Sequence, residues 1–169
     1  MHANIKPVSL RPLVAHDAGA LFSLLADGDV ATFISTIPHP YRPEHAEAFI
    51  DSRSRDSDRI VARGIVVAGS DDIVGVCSLN LLDAHTANVA FWLGVRFRGM
   101  GHATHAVLAM LDLAGTIGIR TVIASHVQEN HHSAQVLLRC GFVPAHQDER
   151  AFHGRHAVFI NYSRTLVAS

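Results

Sequence analysis

A glycine-containing loop lies where a predicted strand passes into a long predicted helix, and its residue types suit the binding of phosphate groups. The loop reads Arg96-Phe97-Arg98-Gly99-Met100-Gly101-His102-Ala103. Its two glycines remove side chains at the point where a helix N-terminus presents unpaired backbone N–H groups. Such groups bind anions, so the loop predicts a site for a pyrophosphate. An ordinary strand-to-helix turn is the alternative interpretation.

Two other phosphate-binding motifs do not match this loop. A dinucleotide fingerprint requires G-x-G-x-x-G/A and an acidic residue about 20 positions further on. Here Thr104 takes the last position, and the stretch Ile119–Thr121 is not acidic. The chain has no G-K-S/T triplet, which excludes a P-loop. The pattern that does fit is Q/R-x-x-G-x-G/A, through Arg98, Gly101 and Ala103.

A second polar stretch, Asn130-His131-His132-Ser133, begins a predicted helix that is followed by Gly141-Phe142. Its amide and hydroxyl groups suit contacts to a polar ligand. Asn is also among the best helix N-cap residues, and Ser133 falls in the first turn. A structural role and a binding role are therefore both open for Asn130 and Ser133.

The elements that must position these residues follow from the apolar periodicity and from the turn residues between the periodic segments. Strands are predicted at Val8–Leu13, Ile60–Ala68, Ile73–Leu81, Ala87–Val95, Thr121–Val127, Phe142–Ala145 and His156–Thr165. Helices are predicted at Asp17–Leu25, Pro43–Arg53, Gly101–Ile117 and Asn130–Cys140. A polar loop around His153-Gly154 joins the last two strands. This order predicts one mixed α/β domain over residues 1–169.

The composition narrows the class of protein. The 169 residues are 49% hydrophobic and 17% charged, which suits one domain with its own core. A net charge of -1 argues against nucleic acid as a partner. The stretch Met1–Ser9 is polar and lacks the apolar core of a signal peptide, and no stretch is apolar enough to span a membrane. Cys77 and Cys140 lie in apolar segments as expected of reduced core thiols, so a cytoplasmic protein is predicted.

The Arg98–Ala103 loop resembles the coenzyme A loop of the GNAT superfamily of N-acetyltransferases. Further segments resemble its RimJ/RimL branch in the same order along nearly the whole chain: Ile37–Tyr41 with Glu44-His45-Ala46, Ile73-Val74-Gly75, Phe91-Trp92-Leu93, and Asn130–Ser133 with Gly141-Phe142. The resemblance implies a single mixed, mostly antiparallel sheet with flanking helices. It also implies that two central strands splay apart and hold coenzyme A between them.

The same resemblance implies the residues that bind the cofactor. The fourth strand would face the pantetheine arm, the amides of the loop would hold the pyrophosphate, the Thr104 hydroxyl would assist them, and Asn130 would contact a pantetheine amide. The implied cofactor-binding residues are Phe91, Trp92, Leu93, Val95, Arg98, Gly99, Met100, Gly101, His102, Ala103, Thr104 and Asn130.

Acyl transfer from a thioester to an amine requires a neutral amine, a donor for the developing oxyanion and a proton for the departing thiolate. The family picture supplies the oxyanion donor from a backbone N–H near Leu93. Many members place a proton-donating Tyr on the fourth helix, where this chain has Leu137. Ser133 is the predicted donor instead, as proposed for the RimJ/RimL branch.

The general base is less defined, because Asn88 stands where the branch often has a carboxylate. His85, His126 and a chain of waters are the candidates, and His126 on the fifth strand is the predicted catalytic residue. His102 and His105 lie one helical turn apart but lack further ligands, so no metal is expected.

These observations predict an enzyme that transfers an acyl group, most simply acetyl, from coenzyme A to a primary amine. A non-catalytic acyl-CoA-binding domain is the alternative, favoured by Leu137 and Asn88. A structural domain would leave the loop without a purpose. The acceptor, a protein N-terminus or a small molecule, the length of the acyl group and the presence of a homodimer remain open.

Overall fold

The computed structural model describes residues 6–26 and 28–167. Most of Met1–Ser9, the stretch in which the sequence predicts no signal peptide, therefore lies outside the described residues. The strands are β1 (Val8–Arg11), β2 (Ile60–Val67), β3 (Ile73–Leu81), β4 (Thr86–Leu93), β5 (Thr121–Val127), β6 (Val143–Phe152) and β7 (Arg155–Thr165). The α-helices are α1 (Ala18–Leu25), α2 (Pro43–Arg53), α3 (His102–Thr116) and α4 (His131–Arg139).

The seven strands form one mixed sheet in the order β1-β2-β3-β4-β5-β7-β6. The β4–β5 pair is parallel and the remaining described pairs are antiparallel. This confirms the expected single, mostly antiparallel sheet with flanking helices. The sequence order also explains the exception, because α3 is the crossover that a parallel connection requires.

Different helices cover the two faces of the sheet. One apolar cluster joins α1 and α2 to β2, β3 and Trp92 of β4. Another joins α3 and α4 to the opposite side chains of the same strands. Because side chains alternate along a strand, Asn88 shares the α1/α2 face with Trp92, whereas Phe91 and Leu93 lie on the α3/α4 face.

The strands β4 and β5 part soon after they meet. Their parallel ladder holds three residue pairs and ends at Asn88↔Ile123. The outer edges stay paired further along, β4 with β3 as far as Gly75↔Leu93 and β5 with β7 as far as Val127↔Phe159. The sheet therefore contains a wedge-shaped gap between two continuous half-sheets, which confirms the expected splay.

The end of β4 corrects the predicted strand bound. The strand ends at Leu93, and Val95–Phe97 form a short 3₁₀ turn closed by a 2.9 Å hydrogen bond from the Phe97 N–H to the Gly94 carbonyl. Val95 is exposed on this turn and does not extend the strand.

The prediction of a polar loop between the last two strands is wrong in its extent, because the loop is much shorter than expected. β6 continues to Phe152 and pairs along its length with β7, and a two-residue turn at His153-Gly154 joins them. Both turn residues have positive φ, 49° and 75°, as a tight hairpin turn requires. The polar sequence of β6 misled the prediction because β6 is a solvent-exposed edge strand, whose side chains need no apolar alternation.

Candidate functional site

A continuous cleft of about 680 Å³ occupies the gap between β4 and β5 and opens onto both faces of the sheet. Its size is typical of a small-molecule or cofactor site. On the α1/α2 face it is lined by Ala62, Val76, Ser78, Asn80, Asn88, Ala90 and Trp92 from the sheet. From the α3/α4 side it is lined by Val89, Phe91, Leu93, Ala124, His126, Ser133, Val136 and Leu137 among others.

The edge of β4 presents backbone groups to the gap. The Gly94 N–H donates to the Val74 carbonyl at 2.9 Å, so the ladder to β3 uses alternate residues that include Gly94 and Trp92. The N–H and C=O groups of Phe91 and Leu93 consequently point away from β3, into the gap. The Leu93 carbonyl accepts a 3.2 Å hydrogen bond from the Arg98 Nε. The Leu93 N–H lies on the same edge of β4 and is a donor that faces the cleft.

The glycine loop closes one end of the cleft at the start of α3. Gly99 and Gly101 have φ values of 75° and 79°, a conformation in which other residues are strained. Arg98 ties this loop to β4 through its bond to Leu93. The predicted binding residues that line the cleft here are Arg98, Gly99, Gly101, His102, Ala103 and Thr104.

Three of the predicted cofactor residues are placed differently. Val95 and Met100 are 41% and 42% exposed and do not line the cleft. The prediction for Met100 concerned its backbone N–H, which the exposure of its side chain does not contradict. The prediction for Val95 required β4 to continue to that residue, and β4 ends at Leu93. Trp92 does line the cleft, but from the α1/α2 face, opposite Phe91 and Leu93. The physical reason is strand alternation, which sends neighbouring side chains to opposite faces.

The first helical residue of α3 leaves a polar atom unsatisfied. His102 is 5% exposed, and its Nδ1 has no hydrogen-bond partner within the described part of the chain. A buried ring nitrogen without a partner is costly. Its position beside a helix N-terminus and two glycines fits a site that a polar, anionic ligand completes.

The polar start of α4 reaches the same cleft. The Asn130 Oδ1 accepts a 3.2 Å hydrogen bond from the Ser133 N–H, so Asn130 is the N-cap of α4. Both residues line the cleft, and one turn further Leu137 lines it as a fully buried side chain. The structural role of Asn130 is thus present, and its position in the cleft is compatible with the binding role.

His126 lies in the cleft on the α3/α4 face. Its Nδ1 bonds to the Val127 carbonyl at 2.8 Å, and because a carbonyl only accepts, Nδ1 carries the proton. Nε2 therefore accepts from the Tyr162 hydroxyl at 3.1 Å. Burial raises the pKa of Tyr162, which keeps this hydroxyl protonated as the donor.

This arrangement sets His126 apart from Asn88, which lies on the opposite face, and engages both of its ring nitrogens. His85 is further removed. It is exposed in the β3–β4 turn, bonds to the Gly118 carbonyl at 3.3 Å, and does not line the cleft.

The α1/α2 side of the cleft contains polar residues that sequence reasoning missed. Asn80 faces Asn88 as its cross-strand partner, and Ser78 lies two residues before Asn80 on the same face. Arg53 at the end of α2 and Ser125 on β5 complete this side. The signal was the alternation of polar Ser78 and Asn80 within an otherwise apolar strand.

The charges on the cleft wall are of one sign. Arg53, Arg98 and Arg139 line it, and no Asp or Glu lies among its lining residues in the described ranges.

Within residues 6–26 and 28–167, no three His, Cys, Asp or Glu side chains gather as a metal site. None of the helices there is long and apolar enough to cross a membrane.

Comparison with family models matches residues 8–143 to the acetyltransferase (GNAT) domain. Comparison with curated protein sequences finds no match. Among solved structures, the microcin C7 self-immunity acetyltransferase MccE, in complex with acetyl-CoA and AMP, superposes with a TM-score of 0.85 at 21% identity, over 95% of this chain and 93% of that chain.

Two ribosomal-protein acetyltransferases share the fold. RimL, a ribosomal L7/L12 alpha-N-protein acetyltransferase in complex with coenzyme A, has a TM-score of 0.87 at 18% identity and covers 96% of each chain. An acetyltransferase from Salmonella typhimurium that modifies the N-terminal serine of L7/L12 has a TM-score of 0.82 at 18% identity, over 95% of this chain and 96% of that chain.

Proposed function

The chain belongs to the GNAT acetyltransferase family, and we propose that it transfers the acetyl group of acetyl-CoA to the α-amino group of a peptide or an amino-acid-like compound. The observation that carries this proposal is the gap between β4 and β5. It is an opening through the sheet, so a thioester bound from the α3/α4 side reaches an amine held on the α1/α2 face. The likeness to RimL and to the acetyltransferase that modifies the N-terminal serine of L7/L12 supports a place near the RimJ/RimL branch.

The residues of the cleft fit coenzyme A. The N–H groups at the start of α3 and the loop of Gly99 and Gly101 would hold the pyrophosphate, with the Thr104 hydroxyl and the unsatisfied His102 ring nitrogen beside them. The Phe91 N–H and C=O, which face the gap, would pair with the pantetheine amides, and Asn130 would contact the same arm. When bound, the cofactor supplies the activated acetyl thioester.

Two groups would stabilise the transition state. The Leu93 N–H faces the gap and would donate to the carbonyl oxygen of the acetyl group, where negative charge develops. Ser133, in the first turn of α4, would donate a proton to the departing sulfur as the carbon–sulfur bond breaks. The amine nitrogen forms the new bond to the carbonyl carbon and releases its proton to water, from which Ser133 regains the proton that it gave to sulfur.

The absence of a carboxylate from the described cleft wall supports an acceptor that needs little help to lose its proton. At pH 7 an α-amine with a pKa of about 7.7–8.0 is neutral in about one molecule in ten, whereas a lysine amine near 10.4 is neutral in about one in 2,500. His126 would act at most through its bonded partners, because both ring nitrogens are engaged. We therefore expect His126→Ala to change the rate only modestly.

An acceptor screen tests this function. Peptides of one sequence with either the α-amine or a lysine ε-amine free are offered with acetyl-CoA and with longer acyl-CoAs, and thiol release and product mass are followed from pH 6 to 9. We expect acetyl transfer to α-amines, with a rate that rises through the pKa of the acceptor. Preference for ε-amines at pH 7 would overturn the α-amine assignment.

Two other results would revise the mechanism. A pH profile governed by an enzyme group near 6.5 and abolished by His126→Ala would make that histidine the base. If acetyl-CoA binds and no amine releases the thiol, the chain is an acyl-CoA-binding protein without catalysis.

Cys77 and Cys140 are free and buried, and burial raises the pKa of the Cys140 thiol to about 11. Unreactive reduced thiols suit a reducing compartment, which supports a cytoplasmic enzyme.

A further inference from the structure

Arg53 is a cation of the cleft wall that no acidic side chain neutralises in the described part of the chain. It ends α2, lines the cleft on the α1/α2 face, and lies 5.9 Å over the Phe49 ring. Within the described residues its only hydrogen bond goes to the Ser52 carbonyl at 3.4 Å, a long contact that leaves the guanidinium available.

Two other arginines, Arg63 and Arg150, form ion pairs within the chain. Arg63 holds Asp56 through two hydrogen bonds of 2.5 and 2.9 Å, and Arg150 holds Asp148 at 2.7 and 2.9 Å. Those guanidiniums are committed to pairs within the chain. Arg53 offers the same planar set of donors to the cleft, where it can bind a carboxylate with two parallel hydrogen bonds.

The surrounding wall matches such a ligand. The side of the cleft that contains Arg53 also contains Ser78, Asn80 and Asn88, which are neutral donors and acceptors. A polycationic amine would find no carboxylate among the described lining residues and would meet the positive charge of Arg53. An acceptor with a negative group near its amine would be attracted by the same charge.

We propose that Arg53 binds a carboxylate of the acceptor and thereby selects amines that have an acidic group close to the reacting nitrogen. The carboxylate is that of an amino-acid-like compound or of an acidic side chain next to the N-terminal residue of a peptide. Polyamines and aminoglycoside-like amines are excluded as good substrates. This inference rests on the proposed acetyl transfer and specifies its acceptor.

The test uses three amidated tripeptides, Ser-Glu-Ala, Ser-Gln-Ala and Ser-Lys-Ala, which share one α-amine and differ in one charge. Free serine and serinamide form a second pair that tests the carboxylate of a small molecule, with rates compared per neutral amine because the carboxylate also raises the pKa of the α-amine. With wild-type protein we expect kcat/KM to fall about ten-fold from the Glu to the Gln peptide and further for the Lys peptide, the range of one charge-assisted contact. A larger difference in kcat/KM between the Glu and Gln peptides identifies a peptide side chain as the source of the carboxylate. A larger difference between serine and serinamide identifies a small molecule.

Arg53→Gln should remove the difference between the Glu and Gln peptides, and Arg53→Glu should favour the Lys peptide. Arg55→Gln is the matched control, because Arg55 is exposed, lies two residues away outside the cleft wall, and loses the same charge. Circular dichroism and calorimetric binding of acetyl-CoA should be unchanged in all three variants. Equal rates with wild-type protein both among the three peptides and between serine and serinamide, or the same discrimination in Arg53→Gln, would overturn the inference.

Failure of the proposed function has a different signature, which is absence of thiol release with every acceptor. Calorimetric binding of the same peptides to coenzyme A-saturated protein then decides the charge preference separately. Tighter binding of the Glu peptide, or of serine over serinamide, that Arg53→Gln removes supports the role of Arg53, and equal binding within both sets refutes it.

Discussion

Ser133 and Leu137 occupy one side of α4, one turn apart, and both line the cleft. Leu137 is 1% exposed and belongs to the core, so it contributes packing at the position where the family resemblance implies a proton-donating Tyr. Ser133 is only partly buried, and its backbone N–H, not its hydroxyl, is used by the Asn130 cap. The hydroxyl therefore remains available for proton transfer at this end of the cleft.

Ser133→Ala tests that hydroxyl. We expect kcat to fall by about ten-fold or more while acetyl-CoA affinity stays near the wild-type value, because the general acid acts in the chemical step. Single-turnover kinetics and calorimetry measure the two quantities. The Asn130 cap should persist, since it uses the Ser133 backbone, so an unchanged melting temperature is the internal control. Unchanged turnover would mean that water protonates the thiolate.

Gly101→Glu tests the phosphate loop at the same scale. A side chain and a negative charge at the N-cap of α3 would oppose the pyrophosphate, and we expect acetyl-CoA binding to be lost in calorimetry with the circular dichroism spectrum retained. Gly118→Glu is the matched control, because Gly118 also has a positive φ, 88°, lies after the other end of α3, and does not line the cleft. Normal affinity in Gly101→Glu would contradict the phosphate site.

At the scale of the element, the end of β4 lies between the proposed coenzyme A site on the α3/α4 side and the proposed acceptor site on the α1/α2 side. Its backbone edge faces the gap, its alternate side chains face opposite sides, and Arg98 ties it to the phosphate loop. On its other edge β4 lies against Gly75 of β3. A Cβ at Gly75 would come 2.1 Å from the Trp92 carbonyl oxygen and 2.9 Å from the Leu93 Cα.

Gly75→Ala should therefore displace the end of β4. We expect a loss of about 1–3 kcal/mol in the free energy of unfolding, as for overpacked sites, together with weaker acetyl-CoA binding because the Leu93 backbone moves. Urea denaturation and calorimetry give the two values. Gly115→Ala is the control, since a Cβ there meets nothing within 4 Å and helix propensity improves. Equal effects of the two substitutions would refute the close-packing argument.

At the scale of the whole molecule, the gap divides the sheet into two halves that other contacts rejoin. α3 packs against strands of the first half, and its core cluster includes Tyr162 of the second. On the other face, the tip of the β6–β7 hairpin reaches the 3₁₀ turn Ala31–Phe33, where the His153 Nε2–H donates to the Ala31 carbonyl at 3.0 Å. Phe33 packs there with Val127 and Phe152.

These bridges support one cooperative domain over the whole chain, and we expect a single unfolding transition. Fluorescence of Trp92, the sole tryptophan, reports the first half-sheet, and far-UV circular dichroism reports both. Acetyl-CoA at about 100 times its Kd should raise the melting temperature by about 5–10 °C, because it binds only the folded cleft. Separate transitions of the two probes would show that the half-sheets unfold independently.

The order of strands and helices and the phosphate loop could be predicted from the sequence because their signals are local. Helices α2 and α3 were predicted within one residue, since Pro43 and Gly101 mark their beginnings and apolar spacing marks their length. The exposed edge strand β6 was predicted only as far as Ala145, because its further pairing with β7 depends on position in the sheet and leaves no apolar pattern.

The sequence by itself therefore determined the type and order of the elements, the glycines at the start of α3 and the cap at Asn130. The tertiary structure decided which side chains share a face of the cleft. Arg53, Asn80 and Ser125 come from separate elements and meet only once strand register is set. Register also placed His126 and Asn88 on opposite faces of the sheet, because one residue of displacement along a strand reverses the face that a side chain occupies. That choice rests on the pairing of the whole sheet, which no local pattern encodes.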